Sequence, residues 1–158
     1  MKHSIKTGLS FGLTSGIITT LGLMIGLYSS TQSKIAVLGG ILTIAVADSF
    51  SDALGIHISE ESKKDSNHNH VWQATFATFA SKFIFALTFV IPVLLFTLEI
   101  AILVSLIWAV MMLSLISYHI AKSKGESALK VIGEHLLISG VVVVCTYYIG
   151  KAISLYIS

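Results

Sequence analysis

Long unbroken runs of apolar residues, separated by short polar stretches, dominate the chain. A bilayer span takes about 20 such residues in a helix. Five runs meet this: residues 8–28, 35–58, 72–98, 100–121 and 136–157. They are continuously apolar rather than alternating, so they predict helices and not the strands of a barrel. The two longest connections, 59–71 and 122–134, leave no room for a separate soluble domain. The expected architecture is therefore all-α, a single transmembrane domain over 1–158 with five transmembrane helices. Lys2 and Lys6 ahead of an apolar run could mark a signal peptide. That run is long, however, and 29–33 offers no convincing small-x-small cleavage site, so it is read as the first span.

Composition narrows the class further. Charged residues make up 11% of the chain and mean hydropathy is +0.87, whereas soluble domains carry about 25% charge. A membrane protein is the class that remains. Ten lysines, no arginine and eight acids give a net charge of +2 with no basic block, which excludes nucleic acid as a partner. The single Cys145 forms no internal disulfide and belongs to no metal-type spacing. With the N-terminus in the cytosol, Lys2, Lys6, Lys63, Lys64, Lys122, Lys124 and Lys130 lie inside, and only Lys34 and Lys151 lie outside. This positive-inside bias predicts a cytoplasmic N-terminus and an external C-terminus.

Two residues of the second span do not belong in hydrocarbon. Asp48 and Asp52 stand four apart and share one helix face. Each costs about 2.5–3.5 kcal/mol near the bilayer centre, while each aliphatic residue returns only about 0.3–0.6. The span is thus marginal unless the carboxylates find partners. Lys82, deep in the third span, could pair with Asp48 as a purely structural bridge, which leaves Asp52 without an evident partner. Two acids one turn apart, with a lysine opposite, point instead to a cation or proton site. Carboxylates are hard donors suited to Fe²⁺, Mn²⁺, Mg²⁺ or Ca²⁺. Like charges this close favour a shared proton or a bound cation, so an exchange of metal for protons follows. At the end of the same span, His57, Glu60 and Glu61, followed by Asp65, His68 and His70, form either a solvated turn or a cation-collecting mouth. His57 and Glu61 have the i, i+4 spacing of a helical ligand pair.

Gly8, Gly12 and Gly16 recur every four residues in the first span, followed by Gly22 and Gly26. Such stripes permit close helix approach, either within the chain or along a dimer seam. Ser15 and Thr19 beside the stripe offer hydroxyls to a pathway that Lys82 also lines. Pro92 is expected to kink the third span, and Glu99 to sit in the turn after it. His119 reads as interfacial, Cys145 as inert packing, and Met24, Met111 and Met112 as core. Paired aspartates can perform acid–base chemistry, but hydrolytic dyads place the two acids on facing helices. Nucleophile elbow, phosphate loop and zinc-protease spacing are all missing, so the chain does not read as an enzyme.

The order of these features resembles the vacuolar iron transporter family of divalent-cation/proton antiporters. The segment Gly12-Leu-Thr-Ser-Gly-Ile-Ile-Thr-Thr-Leu-Gly22 is similar to that family's first-span Gly-x-x-Asp-Gly run. Ala47-Asp-Ser-Phe-Ser-Asp-Ala-Leu-Gly-Ile-His-Ile-Ser59 resembles its second-span Ser-Met-Ala-x-Gly-Glu-Tyr-x-Ser signature. Residues 80–95 with Pro92, and 133–150 ending Thr146-Tyr-Tyr-Ile-Gly, are similar to its third and last spans. This chain departs from the pattern at four positions. Ser15 stands for the transport aspartate, Asp52 for the methionine and Ile56 for the glutamate, and Lys82 occupies a normally apolar position. The glutamate-rich cytoplasmic domain of larger members is replaced by 59–71. The resemblance implies a homodimer with the pathway between protomers. It also implies no resident cofactor and a transported Fe²⁺ or Mn²⁺, for which the residues themselves offer Asp48, Asp52, His57, Glu60 and Glu61 as candidate metal ligands. The expected function is export of that metal from the cytosol in exchange for protons, in a prokaryotic plasma membrane. The alternative is a non-transporting membrane protein that keeps the fold and has lost the pathway.

Overall fold

The computed structural model describes residues 3–64 and 67–157. All its regular structure is helical: α1 (His3–Thr31), α2 (Lys34–Glu61), α3 (His68–Thr88), α4 (Val90–Leu95), α5 (Leu98–Lys124) and α6 (Ala128–Tyr156). With α3 and α4 taken as one span, five helices are long and apolar enough to cross a membrane. The chain is an integral membrane protein.

The helices overrun the apolar runs at most ends. Helices α2, α5 and α6 have 28, 27 and 29 residues, roughly 40–44 Å of helix. The hydrocarbon they cross is only about 30 Å thick. The connection expected over 122–134 shrinks to 125–127, and Glu134 is helical. Hydropathy falls where charges begin, but backbone hydrogen bonding continues until something ends it. At the end of α5 that is Gly125, whose φ of 72° suits a residue without Cβ and whose N–H reaches the Ala121 carbonyl. At the start of α2 the Ser33 side chain accepts from the Ala36 N–H.

The third span is interrupted at Phe89, three residues before Pro92. Proline supplies no N–H to the carbonyl of residue i−4, here Thr88. The turn tightens, and the Phe89 N–H bonds Ala86 at 3.2 Å instead. Glu99 lies in the first turn of α5 rather than in the connection before it, where its charge faces the positive end of the helix dipole.

Helix α1 is the axle of the bundle. Its span is 50% buried against 11% for α6, and it packs on α2, α3, α5 and α6. Ile17, Leu21, Met24 and Ile25 of α1 form the core with Val37 and Ile41 of α2, Phe89 and Val93 at the span break, and Ala101, Ile102, Ala109 and Leu113 of α5. Met111 and Cys145 face outward, not inward as expected. The glycine stripe explains the tightest contact. A Cβ on Gly12 would lie 2.2 Å from Ser81 Oγ and 2.6 Å from the Thr78 carbonyl, and Gly8 and Gly16 likewise abut α3. Gly8, Gly12 and Gly16 therefore pack α1 on α3 within the chain. The dimer-seam reading of that stripe is corrected: its face is already occupied.

Candidate functional site

That close approach of α1 to α3 sets the geometry of the charged residues. Ser15 on α1 is next to Gly16, and Lys82 on α3 runs past it: a Cβ on Gly16 would meet Lys82 Cγ at 3.2 Å. Lys82 is 1% exposed, a charged side chain buried as deeply as the apolar core. Its ammonium reaches α2, where Nζ lies 2.5 Å from Asp48 Oδ2 and pairs with Asp52 Oδ2. It also donates to Ser15 Oγ at 2.9 Å, and Ser15 donates in turn to Asp52 Oδ2 at 2.6 Å. One hydroxyl can do both, since it has one proton and two lone pairs.

These four side chains join α1, α2 and α3 near the middle of α2. Asp48 is close to the centre of α2, roughly 20 Å of helix from either end. Two acids meet one lysine, one acid more than a simple ion pair needs. The hold on the two acids differs. Asp52 is in hydrogen-bond geometry with Lys82, whereas Asp48 Oδ2, although at ion-pair distance, is buried without any hydrogen bond of acceptable angle. The neighbouring Ser49 Oγ is also buried and unbonded. The carboxylates are not sealed in: the Asp48 and Asp52 side chains are 25% and 20% exposed, against 2% for Lys82. The lysine sits behind and the acids in front.

The structure thus brings together Asp48, Asp52, Ser15 and Lys82. The expectation that Asp52 lacks a partner is corrected, because acids at i and i+4 on one face come within reach of the same ammonium. Thr19 does not join them; its hydroxyl turns back to the Ser15 carbonyl at 2.9 Å. His57, Glu60 and Glu61 lie about one and a half to two and a half turns beyond Asp52 along α2. His57 Nδ1 is 3.0 Å from Thr75 Oγ1, and its ring meets Trp72 edge-on. Glu60 pairs with Lys63 at 2.5 Å, and Glu61 is exposed. His68 accepts from Trp72 Nε1 at 3.1 Å. Asp65 lies outside the described residues. Among the described residues no three His, Cys, Asp or Glu side chains gather to hold one metal ion. Any cation at the aspartates would complete its shell with hydroxyls, carbonyls, water or a second copy of the chain.

Two features escaped the reading of the sequence. His135 on α6 bonds the buried Ser117 of α5 at 2.7 Å. Because Ser117 donates its proton to the Leu113 carbonyl, the imidazole is the donor to Ser117, and the serine is not primed as a nucleophile. The second feature is the open face of α2, where Gly39, Thr43, Ala47, Ser51 and Gly55 recur every four residues, all exposed. A Cβ on Gly39 or Gly55 would meet nothing within 4 Å. This small-residue row is the free counterpart of the buried glycines on α1, and it flanks Asp48 and Asp52. Its spacing was visible, but large apolar residues between its members masked it. Models of known protein families and curated protein sequences give no match to this chain.

Proposed function

We propose that the protein is a carrier for a divalent metal cation, Fe²⁺ or Mn²⁺, moving it out of the cytosol in exchange for protons. The observation behind this reading is a pair of partly exposed acids that share one buried lysine midway along a helix long and apolar enough to span a membrane. Ionisable groups in that position are costly and mark ion pathways. Asp48 and Asp52 are the ligands, and Ser15 supplies a neutral oxygen. The resemblance to vacuolar iron transporters supports the metal class and a cytoplasmic N-terminus. Two copies joined along the open α2 face, through Gly39, Thr43, Ala47, Ser51 and Gly55, would bring two acid pairs towards one axis and complete a donor set that one chain lacks.

A second reading has its own support. Lys82 is fully buried and touches both acids, as a static ionic staple in a non-transporting protein would. Flux separates the two. Proteoliposomes loaded with a metal-sensitive dye are expected to report Mn²⁺ entry with the wild-type protein and a loss of at least about tenfold with Asp52→Asn. Absence of wild-type flux, or equal flux in the variant, refutes the carrier.

A further inference from the structure

We propose that the Lys82 ammonium is a tethered occupant of the carboxylate pair, so that a free cation binds only by exchange against it. On this view Lys82 is the residue that sets affinity for divalent ions. The inference rests on the reading of Asp48 and Asp52 as cation ligands.

Three observations lead there. Nζ contacts oxygens of Asp48, Asp52 and Ser15, which is the oxygen set a bare cation would take from these two helices. The order of exposure is also right for exchange: the carboxylates are partly exposed beside the open face of α2, and the lysine lies behind them. A cation arriving along the α2 face therefore meets the acids first. Finally, the hold is uneven. Two N–H donors serve Asp52 and Ser15 in good geometry, whereas the Asp48 contact is ionic only. Asp48 is thus the acid most readily shared with an incoming ion. The stem of Lys82 is fixed where it passes Gly16, so only its terminal atoms can yield.

The charge of the tethered group then selects. An ammonium repels a divalent ion twice as strongly as a monovalent ion at the same distance. It therefore discriminates against divalent cations, and its removal must favour them most. Lys82→Gln keeps N–H donors for Ser15 and Asp52 while removing the charge.

The test is the thermal midpoint of the purified full chain in detergent, followed against Mn²⁺, with Na⁺ at matched ionic strength as the control. In Lys82→Gln the half-saturating Mn²⁺ concentration is expected to fall at least about tenfold, with a smaller change for Na⁺. Adding Asp52→Asn should abolish the gain. An unchanged Mn²⁺ response in Lys82→Gln overturns the proposal, as does a gain that survives removal of both acids. Should Lys82→Gln fail to fold, Asp48→Asn/Lys82→Gln must still bind Mn²⁺ more tightly than Asp48→Asn alone, or the proposal falls. Asp52-dependent flux in the wild type with an unchanged Lys82→Gln response defeats this inference alone. Tighter Mn²⁺ binding by Lys82→Gln without wild-type flux defeats the carrier alone.

Discussion

Neutralising the charged residues in combination distinguishes a pair from a triad. Lys82→Met removes the cation from two acids at once. Breaking a buried ion pair by deleting one partner costs about 3–5 kcal/mol, and the partial exposure of both carboxylates places this case near the low end. Asp52→Asn loses charge-assisted hydrogen bonds to Lys82 and Ser15, worth about 1.5–3 kcal/mol. Asp48→Asn gives up a contact without hydrogen-bond geometry at a side chain one-quarter exposed, so its cost stays below about 1 kcal/mol. If Lys82 served Asp48 alone, Asp48→Asn/Lys82→Met would recover wild-type stability. In the triad Asp52 is still stranded in that double variant, which remains about 2 kcal/mol or more below wild type. Only Asp48→Asn/Asp52→Asn/Lys82→Met recovers, because apolar or neutral replacement of a complete buried set is often neutral or stabilising. Helical signal against the SDS fraction in mixed micelles reads these differences. A double variant as stable as the triple would show that Asp52 takes no part in the network.

Two further outcomes follow from packing. Gly12→Val forces methyl groups into the Thr78 carbonyl and Ser81 Oγ; it should cost about 1–3 kcal/mol in the same assay and displace Lys82 through α3, and a wild-type midpoint would contradict the close α1–α3 approach. Ser51→Cys in a Cys145→Ser background should form a disulfide between copies of the chain in liposomes, whereas Phe76→Cys on the outer face of α3 should not. Equal cross-linking at both positions refutes the α2 seam.

Much of this fold was legible because lipid imposes a simple code. Every backbone group must be bonded within the span, so an unbroken apolar run reads directly as a helix. The ends were less legible: Glu134 and Lys124 look like loop residues by charge, yet a helix outside hydrocarbon tolerates both. The interruption near Pro92 was expected, but its position at Phe89 follows from which carbonyl loses its donor. At the site, Asp48 and Asp52 announced themselves by cost, and Lys82 by depth. What the sequence could not supply was rotation: which face of α3 carries Lys82, and that Ser15 turns toward it. The same limit left the glycines of α1 open between a contact within the chain and a dimer seam, because spacing reveals that a face is smooth without saying which neighbour rests on it.

The ionic junction has a consequence for how the protein is made. Asp52 leaves the ribosome thirty residues before Lys82, so α2 reaches the translocon carrying two acids and no counter-charge. By itself it partitions into lipid only marginally, and its stable resting state requires α3 to arrive. Few residues separate α2 from α3, which keeps that wait short and favours insertion of the two segments together as a hairpin. Biogenesis would stall on a nascent chain truncated after the second span, and a longer 62–67 link would prolong the interval in which a quality-control protease finds unpaired aspartates.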